Sequence, residues 1–150
     1  MLQTIHASHN GNLYRVQLRD RKDIADLVRE HRLETVSSRD NTIVFWFTPS
    51  THCSHMQLNK QATVLLLIST AFTARQVPLL RGNIVITGND GHGNPAALTP
   101  AQMNRLINTD LTGRQEWILS WRFTRDERAR RRASRSTEAT PMAAIVRAWR

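Results

Sequence analysis

The chain has 150 residues, 40% of them apolar and 22% charged, enough for one compact domain with a real core. Its formal charge is +9, and of 21 basic residues only Lys22 and Lys60 are lysines. The apolar run Val64 to Ile68 is far short of a bilayer span, the start "MLQTIHASHNGN" has no basic segment followed by an apolar one, and Cys53 has no partner for an internal disulfide, so a membrane protein, a secreted precursor and a disulfide scaffold are disfavoured. The expected setting is the cytoplasm.

"LQTIH" and "LYRVQL" alternate in polarity around Asn10-Gly11, a strong turn dipeptide, so they predict a β-hairpin. In "RDRKDIADLVREHRL", Asp20 can cap a helix, Asp23 sits in its first turn, and Ile24, Leu27, Val28 and, at the margin, His31 mark one face. "LETV" and "TIVFWFT" read as strands, the second buried on both faces and ended by Pro49. "SHMQLNKQATVLLLISTAF" predicts a helix with Leu58, Ala62, Leu65, Leu66 and Phe72 on its apolar stripe. "NIVIT" is a further strand. In "LTPAQMNRLI", Thr99 at the N-cap, Pro100 at N1 and Gln102 at N3 form a capping-box signature.

"EWILSWRFT" fits two periods. Trp117, Leu119, Trp121 and Phe123 alternate as in a strand, whereas Trp117 and Trp121 stand four apart as on a helix; aromatic and β-branched content favours the strand. "RDERARRRASRS" predicts a solvated helix, and Thr140-Pro141 can open a last short amphipathic helix through Ile145 and Trp149. The expected fold is α+β: a single small domain, residues 1–112, with a mixed or antiparallel sheet of about five strands packed by two or three helices. Residues 113–150 form a basic, helical extension anchored through its aromatics. Residues 111–150 carry 10 basic and 4 acidic side chains, a net of +6, against +3 for the rest.

Between Leu27 and Ile107 the order of features resembles the domain of unknown function 3846 family, small proteins found mainly in phage, plasmid and other mobile-element genomes. The markers are Asn59, Ala62-Thr63, the Gly82–strand–Gly88 unit and Leu98-Thr99. The chain departs from the family pattern at "TPSTHCSHMQ", where the family has an acidic or glycine-rich turn. The resemblance implies an α+β fold and a mobile-element setting, and no reaction.

The stretch "RGNIVITGNDGHG" raises the question of a phosphate cradle. A Walker loop needs Lys-Ser or Lys-Thr after its last glycine, but Asn94-Pro95 follows Gly93. A dinucleotide fingerprint needs G-x-G-x-x-G, and Gly88, Gly91 and Gly93 run in the reverse order. A tight turn is expected, with a backbone nest for an anion as the alternative. His52, Cys53 and His55, with His6 and His9, are soft and imidazole groups able to ligate zinc, yet polar loop residues are the simpler expectation. Glu34 precedes a strand and suits a cap or a pair. No metal, cofactor or catalytic set is expected.

The arginines say most. Arg122, Arg125, Arg128, Arg131, Arg132 and Arg135 can meet phosphates, since each guanidinium fork bonds two oxygens. Trp117, Trp121 and Phe123 either anchor the segment or stack on bases. The leading expectation is a non-catalytic module making non-specific contact with DNA or RNA. The alternatives are a host-protein-binding inhibitor or counter-defence factor docking through Ile145, Val146 and Trp149, and, last, an enzyme working near Glu34, His52 and His55.

Overall fold

The computed structural model describes residues 1–52 and 55–148, with side chains described as far as Ala133. Alternating polarity on either side of the Asn10-Gly11 turn gives β1 (Leu2–Ala7) and β2 (Leu13–Leu18). Next come α1 (Arg21–Val28), β3 (Glu34–Ser37), β4 (Ile43–Phe47) and α2 (Lys60–Ser69). Then follow β5 (Ile84–Asn89), the two-residue β6 (Pro95–Ala96), α3 (Pro100–Asn108) and α4 (Gly113–Ala148). The strands form one antiparallel sheet in the order β2-β1-β5-β4-β3, with β6 pairing the end of β5 beyond β1. The α+β expectation holds, with an antiparallel sheet.

β5 is central, which explains its unbroken apolar run. Ile84 and Ile86 face one side, aligned with Ala7 and Ile5 of β1, while Val85 faces the other. The larger core lies on the first side, where Phe45, Ile86, Leu66, Leu106 and Leu119 meet under α2, α3 and α4. On the opposite face, α1 presses Ile24 and Val28 onto Val44, Trp46 and Val85. Helices therefore cover both faces. α1 starts where expected: the Asp20 carboxylate accepts from the amides of Lys22 and Asp23. It stops at Arg29, whose φ of 66° is left-handed, so His31 lies beyond the helix and is exposed.

Asn59 shows how one side chain joins three elements. Its Oδ1 accepts from the Ala62 amide at 3.0 Å, capping α2, while its Nδ2 donates to the carbonyls of Ala7 at 2.9 Å and Gly82 at 2.8 Å. Thr63 extends the network: its hydroxyl donates to the Asn59 carbonyl and accepts from the Leu80 amide. Gly82 has φ of 73°, and a Cβ there would lie 3.2 Å from the His55 carbonyl oxygen. Gly88 has no room either, since a Cβ would stand 2.7 Å from the Ala97 carbonyl oxygen. Asn59, Thr63, Gly82 and Gly88 thus hold separate segments of the fold in close contact.

Some expectations fail: α2 runs from Lys60 to Ser69, so Leu58 and Phe72 lie outside it and Phe72 is exposed. Trp117 to Phe123 belong to α4, not to a strand. Leu119 and Phe123, four apart, enter the core at 1% and 8% exposure, while Trp117 and Trp121 point outward at 69% and 56%. The helical period wins because it buries two apolar side chains on one face and because the start is capped. The Thr112 hydroxyl accepts from the Gln115 amide at 3.2 Å, and the Gln115 side chain accepts from the Thr112 amide at 3.0 Å. The α4 backbone runs on through Thr140 and Pro141, so these residues do not open a separate helix.

Candidate nucleic-acid interface

α4 is fastened to the body by its inner side chains. Arg81 and Asp126 form a two-pronged ion pair, with Arg81 Nη1 2.9 Å from Asp126 Oδ2 and Nη2 on Oδ1; Nη1 also donates to the Met56 carbonyl at 3.3 Å. The guanidinium holds the Asp126 carboxyl below its ordinary range. Lys60 Nζ meets Glu127 Oε1 at 2.9 Å and stands 6.0 Å from the centre of the Phe123 ring. Arg122 Nη1 donates to the Ala74 carbonyl at 2.8 Å, and burial lowers the pKa of that guanidinium. Arg122, expected to meet phosphate, uses one N–H to fasten α4 to the α2–β5 connection and also borders the hollow beside Trp117 and Trp121. Among the described side chains of α4 the aromatic anchor is Phe123, beside Leu119, while Trp117 and Trp121 point outward.

At 3.6 residues per turn, positions 117, 121, 125, 128 and 132 share one stripe of α4, away from Leu119 and Phe123. All five are exposed. The Arg125 guanidinium lies over the Trp121 ring, 5.3 Å from its centre. Trp117, Trp121 and Arg125, with Arg75, Leu79 and Ile118, border a hollow of about 640 Å³. Arg131 is on the opposite flank, where it lines a second cleft with Arg130. The side chain of Arg135 and those of Ile145, Val146 and Trp149 lie outside the described residues.

The other candidates fall away. In the glycine loop, Gly91 and Gly93 have φ of 86° and 82°, and Asp90 Oδ1 accepts from the amides of His92 at 2.7 Å and Asn94 at 3.1 Å. The hydrogen bonds from these amides hold the Asp90 pKa low. A carboxylate of the chain itself occupies the donors a phosphate would need, so the turn reading stands.

The His52 and His55 rings are 6.2 Å apart, and Cys53 lies outside the described residues. No group of three or more His, Cys, Asp or Glu among the described residues is placed to hold a metal ion. His55 is buried, a correction to its reading as a polar loop residue, and Glu30 rather than Glu34 approaches it, at 3.9 Å. Glu34 opens β3 opposite Phe47 and is exposed. His9 is tied to Asn83, whose Oδ1 accepts from the His9 amide at 3.1 Å and lies 3.0 Å from its Nδ1. His6 stays in β1, where burial lowers its pKa.

The spacing of Arg125, Arg128 and Arg132 puts them on one stripe of a helix, and reading Trp117 and Trp121 as strand residues missed that they extend it. The signal was present in Thr112-Gly113-Arg114-Gln115, a second copy of the Thr99…Gln102 capping pattern. Among the described residues, no helix is long and apolar enough to cross a membrane. No family model, curated protein or solved structure matches the chain.

Proposed function

We propose that the protein is a non-catalytic binding module for single-stranded DNA or RNA, acting without sequence preference as a cytoplasmic accessory protein of a phage, plasmid or other mobile element. The mobile-element setting rests on the family resemblance. The observation that carries the binding mode is the pair of exposed tryptophans, 69% and 56% open, whose stripe continues into Arg125, Arg128 and Arg132. Trp117 and Trp121 are about 6 Å apart along the helix axis, room for each ring to take its own base. The arginines then follow the phosphates. Stacking needs an unpaired base, which favours single strands over duplex. Nothing in the stripe reads base edges, so specificity is low.

Fluorescence anisotropy with labelled single-stranded and duplex oligonucleotides tests this. Single strands of DNA or RNA bind at least tenfold tighter than duplex at equal salt, and Trp117→Ala/Trp121→Ala removes that preference, since each stacked base is worth about 1–3 kcal/mol. Equal binding by the double variant overturns the proposal. The hollow beside Leu79 and Ile118 favours a second reading, in which a host protein seats an apolar side chain between the tryptophans. Binding of that kind depends little on salt, whereas nucleic-acid binding weakens steeply as salt rises.

A further inference from the structure

The opposite flank of α4 faces a separate cleft of about 950 Å³, within the range of roughly 300–1,000 Å³ typical of small-ligand sites. Its cations come from three elements that the sequence keeps far apart: Arg29 from the end of α1, Lys60 from the start of α2, and Arg130 and Arg131 from α4. His9 and His55 line it as well. Glu127 is the acidic group in the wall, and Lys60 engages it at 2.9 Å. Glu30 stands 3.9 Å from His55. Among the described residues the Arg29, Arg130 and Arg131 guanidinium groups make no hydrogen bond and no ion pair within 4 Å, although the Asp126 carboxylate attracts Arg130 from farther off. A fold that spends Arg81 and Arg122 on anchoring α4 leaves these three turned to a shared space. Like charges gathered in a cleft repel one another unless an anion joins them, and low-dielectric walls strengthen the attraction.

The rest of the lining sets the ligand's chemistry. Asn10, Gln57 and Asn83 offer amides, and nearly half of the wall is apolar, Leu58 included, so the ligand carries both polar groups and an apolar face. The volume exceeds what one phosphate needs and leaves room for a sugar and a base. We infer that this cleft binds a phosphomonoester of nucleotide size, with the phosphate among Arg29, Arg130 and Arg131. Two sources share that chemistry: a free mononucleotide and the terminal phosphate of a nucleic-acid strand. The inference goes beyond the strand-binding stripe and uses none of its residues.

Calorimetry on the full chain with adenosine 5′-monophosphate and with adenosine gives the first comparison. The monophosphate is expected to bind at least tenfold tighter than the nucleoside. A second arm compares a 5′-phosphorylated oligothymidylate with its 5′-hydroxyl form. Arg130→Gln/Arg131→Gln weakens phosphate-dependent binding at least tenfold, as does Arg29→Asn, chosen because asparagine tolerates the left-handed backbone at that position. Trp117→Ala/Trp121→Ala leaves it unchanged, which separates this site from the strand-binding stripe. Melting curves confirm that each variant is folded. Preference for the phosphorylated strand identifies a strand end, and monophosphate binding alone identifies a free nucleotide. Equal binding of monophosphate and nucleoside together with equal binding of the two oligonucleotides overturns the inference, as does phosphate-dependent binding that survives both arginine variants.

Discussion

Asn59 is buried and makes three hydrogen bonds through one amide, so its replacement tests the fold at a point. Asn59→Ala removes the α2 cap and the two bonds to the Ala7 and Gly82 carbonyls, at a cost of about 2–4 kcal/mol in denaturant unfolding. Asn59→Asp keeps the cap and turns an oxygen toward both carbonyls; it is expected to be no better than alanine at neutral pH. Asp40 works differently, in the turn between β3 and β4. Its Oδ1 accepts from the hydroxyls of Ser38 and Thr42, each at 2.7 Å, and from the Thr42 amide at 3.2 Å. These bonds bring its pKa from 3.8 to about 2. The depressed value means the carboxylate stabilises the fold fully above its ordinary pKa and loses that contribution as pH falls through the folded one. Stability of the native chain should therefore fall between pH 3.8 and about 2 more steeply than that of Asp40→Asn, followed by thermal melting at stepped pH. Parallel curves would exclude the turn as an acid-sensitive point.

Among the elements, those with an end signal were legible. α1 was announced by Asp20 and α3 by Thr99 with Gln102, and both caps are present. The hairpin followed from Asn10-Gly11, and β4 and β5 from apolar runs that only a central position can bury. α4 was misread because its two apolar pairs, Trp117 with Trp121 and Leu119 with Phe123, also alternate. A sequence shows that four large side chains are apolar, not that two of them face water. The arrangement makes a sharp prediction: Phe123→Ala destabilises by about 3–5 kcal/mol, while Trp121→Ala changes stability by roughly 0.5 kcal/mol or less. Equal costs would return the segment to a strand with both residues inside. The arginine stripe was legible from spacing alone, but the cleft was not. Arg29 and Arg130 border one cleft because α1 ends at a left-handed residue and α4 reaches the start of α2 through Glu127 and Lys60, and no local pattern encodes that placement.

For the whole molecule, charge and connectivity decide behaviour. Among the described side chains of α4, Arg122 is turned to the body, while Arg125, Arg128, Arg131 and Arg132 face solvent. Under the proposed function, the solvent-facing ones are those that release counterions from a strand. Arg125→Gln/Arg128→Gln/Arg132→Gln should then flatten the slope of log affinity against log salt by about 2, from three contacts at about 0.7 each on a single strand. An unchanged slope would assign the electrostatics elsewhere. The sheet order carries a consequence of another kind. β1 lies between β2 and β5, and Ile5 pairs with Ile86, about eighty residues later. During synthesis at about 5–20 residues per second, the first hairpin waits on the order of ten seconds before its second neighbour leaves the ribosome. Through that interval Ile5 and Ala7 have no Ile86 or Ile84 to meet, and the open side of β1 can pair with another nascent chain. The central position of β5, which gives the finished domain its core, makes the opening strand the one most exposed to misassembly while the chain is being made.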